Sequence, residues 1–225
     1  MIMMRLLAVL AGMALLLPPA GAEPSSAVAF DLATIQLLRT ADPARGEALA
    51  KEAKCAKCHG DAGVSDDPED VNIAGLSASY FYKQLKDYQD KNRDDRDMYK
   101  QTRNLEDPQL ADLAVWFASL QPAPVAADRN TDPAVLKLVF HGDPQRLLKA
   151  CASCHGQDGR GGQFDHPALA GQYPEYLVYT LTEFKEGDRG NDIYSRMRII
   201  AEALTEEEIE GLAAYYAAAL PEEEE

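Results

Sequence analysis

Two short stretches carry residue types that could do covalent metal chemistry. They are Cys55-Ala56-Lys57-Cys58-His59-Gly60 and, 96 residues further on, Cys151-Ala152-Ser153-Cys154-His155-Gly156. Cys-x-x-Cys-His is the attachment signature of c-type haem. Two thiols add to the two vinyl groups of one porphyrin and fix it covalently, and the adjacent imidazole reaches the iron as proximal ligand. The alternatives are a disulfide framework in an exported chain and a zinc site. A disulfide framework explains neither His. The expected cofactors are therefore two covalently bound haem c groups, held through Cys55, Cys58, Cys151 and Cys154, with iron bound by His59 and His155.

Each iron has a sixth position, filled or open. A thioether there suits electron transfer and raises the reduction potential. Of the six methionines, Met1, Met3, Met4 and Met13 lie in the first 22 residues, leaving Met98 and Met197. They follow their histidines by 39 and 42 residues, and each stands seven residues before a Leu, Leu105 or Leu204, that leads into an apolar helix. Core filling is the usual use of Met, but equivalent placement in two copies favours ligation. His141 and His166 compete for the role. Neither has a counterpart in the first copy, where Arg45 and Asp70 stand, so both read as surface or loop residues. Arg93 and Arg189 are candidates for pairing with haem propionates, the alternative being exposed surface arginines. A proximal His commonly donates its other ring N–H to a backbone carbonyl. The loop containing Pro167 would supply it in the second copy, and Val71 occupies the matching place in the first.

The elements that must position these groups come in two copies. Gly46 and Gly142, Ile73-Ala-Gly75 and Leu169-Ala-Gly171, Tyr80 and Tyr176, and Arg93 and Arg189 all keep the offset of 96. Three extra residues then shift it to 99, which pairs Met98 with Met197 and Trp116-Phe117 with Tyr215-Tyr216. Both copies read as helical, with no strand alternation. Residues 43–54 and 143–150 have helical composition. Ser77 caps a helix to about Asp90, and Pro174 suits a first helical position. Asp107-Pro108 reads as an N-cap followed by proline, and Thr205-x-x-Glu208 as a capping box. Leu110, Leu113, Ala114 and Phe117, like Ile209, Leu212, Ala213 and Tyr216, recur at i, i+3, i+4 and i+7 and should form an apolar stripe. The fold class is all-α, with two tandem domains each wrapped around one haem.

The expected organisation is a signal peptide at 1–22, an N-terminal extension at 23–40, a first domain at 41–121, a linker at 122–132, a second domain at 133–220 and an acidic tail at 221–225. Arg5, the apolar run Leu6 to Leu17 and Ala20-Gly21-Ala22 match a cleaved secretory leader. An uncleaved anchor is the alternative, though the run is short for a bilayer. The extension holds a short helix from about Asp31. Export places the protein in the periplasm. Peripheral membrane association stays open, without a transmembrane helix.

Net charge is −15 over 225 residues, and each domain contributes −5, from 16 acids and 11 bases at 41–121 and from 13 and 8 at 133–220. Such acidity disfavours nucleic acid and anionic lipid. It suits a basic docking patch on a redox partner, or simply solubility. A diheme electron carrier is the leading functional reading, with no catalytic residues. The alternatives are the cytochrome subunit of a periplasmic dehydrogenase oxidising sulfide or thiosulfate, and a diheme enzyme such as a peroxidase. The enzyme needs an open or replaceable iron position, and two matched methionines argue against that.

The residues resemble diheme class I cytochromes of the cytochrome c4 family from about 41 to 220. The resemblance rests on the two Cys-x-x-Cys-His-Gly motifs, Leu-Ala-Gly-Gln (169–172), Gly-Asp-Arg (187–189), Met197 before Leu-Thr-Glu-Glu-Glu-Ile (204–209), and Leu-Ala-Ala-Tyr-Tyr (212–216). The first copy departs from it: Leu76 follows Gly75, Lys91-Asn92-Arg93 replaces Gly-Asp-Arg, and the segment before Met98 is shorter. The resemblance implies two cytochrome c folds facing each other with haems close enough for internal electron transfer. It also implies a periplasmic carrier feeding a terminal oxidase or reductase.

Overall fold

The computed structural model describes residues 26–123 and 132–217. The leader, most of the linker and the acidic tail lie outside the described residues. Everything described is helix, turn or loop, apart from one isolated bridge between Asp143 and Leu148. The helices are α1 (Leu32–Thr40), α2 (Pro43–Ala53), α3 (Ala56–His59), α4 (Ala78–Gln89), α5 (Arg96–Thr102), α6 (Asp107–Ser119), α7 (Pro133–Phe140), α8 (Ala152–His155), α9 (Pro174–Glu186), α10 (Arg196–Glu202) and α11 (Glu206–Ala217).

Local chemistry sets most of the boundaries. Ser77 accepts a hydrogen bond from Tyr80 N–H at the start of α4, and Pro174 opens α9. Thr205 and Glu208 form the reciprocal capping box before α11, with Thr205 N–H donating to Glu208 Oε2 at 2.9 Å and Glu208 N–H donating to Thr205 Oγ1 at 3.2 Å. Asp31 accepts from Thr34 N–H and starts α1, so the extension does hold the expected short helix.

Two apolar cores form. In the first, the predicted stripe of Leu110, Leu113, Ala114 and Phe117 on α6 packs with Phe81 and Leu85 of α4. In the second, Ile209, Leu212, Ala213 and Tyr216 of α11 pack with Leu138, Val139 and Leu177. All eight stripe residues are buried. Helix α2 crosses α6 so closely that a Cβ on Gly46 would lie 2.1 Å from the Asp112 carbonyl oxygen. Arg45 Nε donates to Asp112 Oδ2 at 2.7 Å; burial raises the Asp112 carboxyl, but Arg45 and the Asp42 N–H outweigh it and hold it below its ordinary range. In the second domain, Arg146 bonds Asp143 and Glu208 in a similar brace.

Three sequence expectations need correction or addition. Residues 143–150 are not a helix. Helix α7 ends at Phe140, Gly142 turns with φ +69°, and a short 3₁₀ turn at Pro144–Arg146 follows. Asp143 captures the Gln145 N–H there, which diverts the backbone from helix. Gly46 and Gly142 thus share an offset but not a role. The cap of α6 is Glu106 rather than Asp107, because Gln109 Oε1 reaches back to accept from Glu106 N–H at 2.9 Å. Asp107 instead pairs with Lys86 at 3.0 Å. Finally, the short helices α5 and α10, which carry the two methionines, went unread in the sequence.

Candidate functional site

Each Cys-x-x-Cys-His motif folds as one helical turn. Cys55 C=O accepts from His59 N–H at 3.1 Å and Cys151 C=O accepts from His155 N–H at 3.0 Å, forming α3 and α8. The spacing i, i+3, i+4 then puts both thiols and the imidazole on one side of the turn. The glycine closing each motif has positive φ, +71° at Gly60 and +80° at Gly156, and a Cβ on Gly60 would lie 1.8 Å from the Val64 carbonyl oxygen. All four thiols are free, so no disulfide joins them. Burial pushes the Cys55 thiol up and the Cys151 thiol up to about 11.

Both imidazoles are oriented alike. His59 Nδ1 donates to Val71 C=O at 2.9 Å, and His155 Nδ1 donates to Pro167 C=O at 3.0 Å. That leaves Nε2 as the lone-pair nitrogen. Burial of His155 lowers its pKa, favouring the neutral imidazole a metal needs. The carbonyls are placed by one loop used twice. Gly63 C=O accepts from Ile73 and Ala74 N–H at 2.9 Å each, and Gly159 C=O accepts from Leu169 and Ala170 N–H at 2.7 and 3.0 Å. The first copy lacks the proline. Its loop is fixed instead by Asn72, whose Oδ1 accepts from Ser65 N–H at 2.8 Å.

The methionines sit on matched short helices. Asp95 Oδ1 accepts from Asp97 and Met98 N–H at 2.9 and 2.8 Å, which starts α5 and places Met98 against the first core. Met197, half-buried on α10, lies between two clamped arginines. Arg196 bonds Asp165 at 2.6 Å and His166 Nε2 at 2.9 Å, while Arg198 bonds Asp192 at 2.7 Å. Two consecutive left-handed residues, Tyr194 and Ser195, turn the chain into α10. His166 is engaged with Arg196, and His141 is exposed at the end of α7.

Arg189 is buried and Arg93 half-buried, so neither is an exposed surface arginine. They form a pseudo-symmetric pair between the domains. Arg93 donates to Tyr176 Oη at 3.0 Å and Arg189 to Tyr80 Oη at 3.4 Å. Both donate to Gln84 Oε1, at 2.9 and 3.1 Å. Each also lies over a ring of its own domain, Tyr88 at 4.8 Å and Phe184 at 4.5 Å. Burial raises the Tyr176 phenol, but Arg93 and Arg189 outweigh it and lower its pKa.

Residues that sequence reasoning passed over complete the cluster. Asp87, fully buried, accepts from Lys83 Nζ at 2.5 Å, Asn191 Nδ2 at 2.7 Å and Ser26 Oγ at 2.6 Å. Lys83 also donates to Asn191 C=O at 2.5 Å. Lys83, Arg93 and Arg189 thus meet in one network, in which Lys83 bonds the Asp87 carboxylate and the arginine side chains bond neutral groups. The signal for Lys83 and Asp87 was present as an i, i+4 pair, which reads as an ordinary exposed helix pair.

The family model described as Cytochrome c matches residues 43–121 and 144–217. The chain belongs to the cytochrome c family. Within it, this cytochrome is similar to cytochrome c4 of Pseudomonas aeruginosa, at 35% identity over 76% of the chain and 88% of the relative. It is 30% identical to a thiosulfate dehydrogenase electron acceptor of Thiomonas intermedia, over 83% of the chain and 88% of that protein. The crystal structure of reduced recombinant cytochrome c4 from Pseudomonas stutzeri superposes with a TM-score of 0.72 at 31% identity, covering 80% of this chain and all of the other. The protein is a diheme cytochrome of the c4 kind, an electron carrier with two covalently bound haem c groups. The free thiols on single turns and the Nδ1-anchored imidazoles fit those groups.

Proposed function

We propose that Cys55, Cys58 and His59 hold one haem with Met98 as sixth ligand, and that Cys151, Cys154 and His155 hold the other with Met197. The supporting observation is the matched pair of sites. In both, the imidazole is fixed by a carbonyl twelve residues on, and the methionine is set on a short helix before the last long one. Haem supplies reversible one-electron chemistry. With His59 and Met98, and His155 and Met197, holding the two irons, neither would keep an open position, which favours carrying electrons over activating small molecules. Arg93 and Arg189 neutralise propionates. The cationic excess of the interdomain cluster supports this, because buried charge is costly without a counter-charge. The two domains are 41–121 and 133–220.

The carrier works in the periplasm after cleavage of the leader at 1–22, and no described helix is long and apolar enough to cross a membrane. Its partners are a donor and a terminal oxidase or reductase, met through basic patches. A second reading, acceptor for a thiosulfate-oxidising dehydrogenase, is favoured by the likeness to the Thiomonas protein. The test is electron counting. The oxidised cytochrome should take up two electrons per chain, return both to a chemical oxidant, and show no turnover of hydrogen peroxide. Sustained peroxide consumption would overturn the carrier reading.

A further inference from the structure

We infer that Gln172, in the second domain, tunes the proximal histidine of the first. This rests on His59 being an iron ligand, as proposed above. The peptide group joining Val71 and Asn72 is bonded at both ends. Its C=O accepts from His59 Nδ1 at 2.9 Å, and its N–H donates to Gln172 Oε1 at 3.0 Å. One peptide plane is all that separates a side chain of the second domain from the imidazole of the first. Gln172 is buried and held from both ends of its amide, since its Nε2 donates to Asn72 C=O at 2.9 Å. Asn72 Nδ2 in turn donates to Gly171 C=O at 2.8 Å, closing the pair.

Hydrogen bonds in series polarise one another, by about 10–30% per bond. An acceptor on the peptide N–H enriches its carbonyl oxygen. That oxygen then draws harder on the Nδ1–H of His59 and makes Nε2 a stronger donor to iron. A stronger donor favours the ferric state and lowers the potential of that site. The second site lacks the device. Its matching peptide is Pro167–Ala168, and the residue matching Gln172 is Leu76, which has no acceptor. Leu76 is buried in the first core and Ala168 packs against that core. The pseudo-symmetric interface therefore presents an amide on one side and hydrocarbon on the other. Gln172 is a positioning residue that acts through a peptide group, and it builds a difference in potential between the two haems into the contact that joins them.

The test uses the full-length holoprotein carrying Gln172→Leu, the residue found in the first copy. A redox titration is read separately at each site from the ring-proton resonances of His59 and His155. The first site should rise in potential by at least a twofold change in its oxidised-to-reduced ratio, about 18 mV at 59 mV per tenfold for one electron. The second should move less than half as far. Tyr173→Phe removes another cross-domain bond, from Tyr173 Oη to Ser65 C=O at 2.6 Å, and leaves the relay intact. It should shift neither site. Gln172→Glu keeps an acceptor oxygen but loses the donor, and should leave the first site at or below its parent value. An unchanged first site in Gln172→Leu, equal shifts at both sites, or an equal shift in Tyr173→Phe would overturn the inference. Should Gln172→Leu fail to fold, a raised first site in Gln172→Glu overturns it instead. Failure of the ligand assignment is distinguishable, because it shows in the parent protein as His59 ring-proton resonances that are not shifted by the iron.

Discussion

Replacing Met197 with Ala is expected to remove about half of the sulfur-to-iron charge-transfer band of the oxidised protein, and Met98→Ala the other half, as follows from one thioether per iron. Each methionine lies on its own short helix with its own anchors, Asp95 for α5 and the clamped Arg196 and Arg198 for α10. Losing one should therefore leave the other untouched. The potential of the altered site should fall by on the order of 0.1 V, a fraction of the roughly 0.8 V over which axial ligands set haem potentials. Absorption spectra and redox titration of the two single variants and the double variant check this. A band that survives either single change at full intensity would show that the sixth ligand lies elsewhere. His166 is then the residue to examine, although its Nε2 is engaged with Arg196.

The largest effect on stability is expected from Asp87→Ala. Lys83 is 2% exposed and its charge is opposed by Asp87 at 2.5 Å. Burial lowers the Lys83 pKa, and Asp87 works against that shift. Removing the carboxylate strands the ammonium, takes the acceptor from Ser26 Oγ and leaves Asn191 Nδ2 with Gln84 Oε1 at 3.1 Å. Breaking a buried pair from one side costs about 3–5 kcal/mol, or a drop in Tm of roughly 12–40 °C for a domain of about 80 residues. The double change Lys83→Met with Asp87→Leu should cost distinctly less, because no unpaired charge remains. Thermal unfolding of the holoprotein followed by circular dichroism decides between them. A single variant as stable as the double would mean that water or another acid relieves Lys83. The cluster joins the N-terminal segment, α4 and the loop at 189–192. Loss of Asp87 should thus loosen the domain contact as well as the first domain.

What was legible in the sequence was local. The haem motifs, the N-caps at Ser77 and Thr205 and the stripes on α6 and α11 follow from spacing over three to eight residues, and the structure reproduces the caps and the stripes. The carbonyl partners of His59 and His155 were also readable, because the loop from Gly63 to Ala74 recurs from Gly159 to Ala170. The helix expected at 143–150 did not form. Composition over eight residues reads as a helix, but Gly142 follows the end of α7 and Asp143 captures the Gln145 N–H. The domain interface was illegible because its residues look unremarkable alone. Lys83 and Asp87 resemble a solvated pair, Asn72 and Gln172 resemble loop amides, and Arg93 and Arg189 gain their tyrosine partners only when the second domain arrives. Pairing Tyr80 with Tyr176 and Arg93 with Arg189 by offset did hold the information. Sequence could not say that each arginine would meet the tyrosine of the other copy.

The central claim is a relay of two closed, six-coordinate irons. Electron paramagnetic resonance of the fully oxidised holoprotein tests it most directly. Strong-field histidine and thioether ligands should make both irons low-spin, so the account predicts low-spin ferric signals that integrate to two spins per chain. A high-spin signal accounting for even one of the two haems would contradict it.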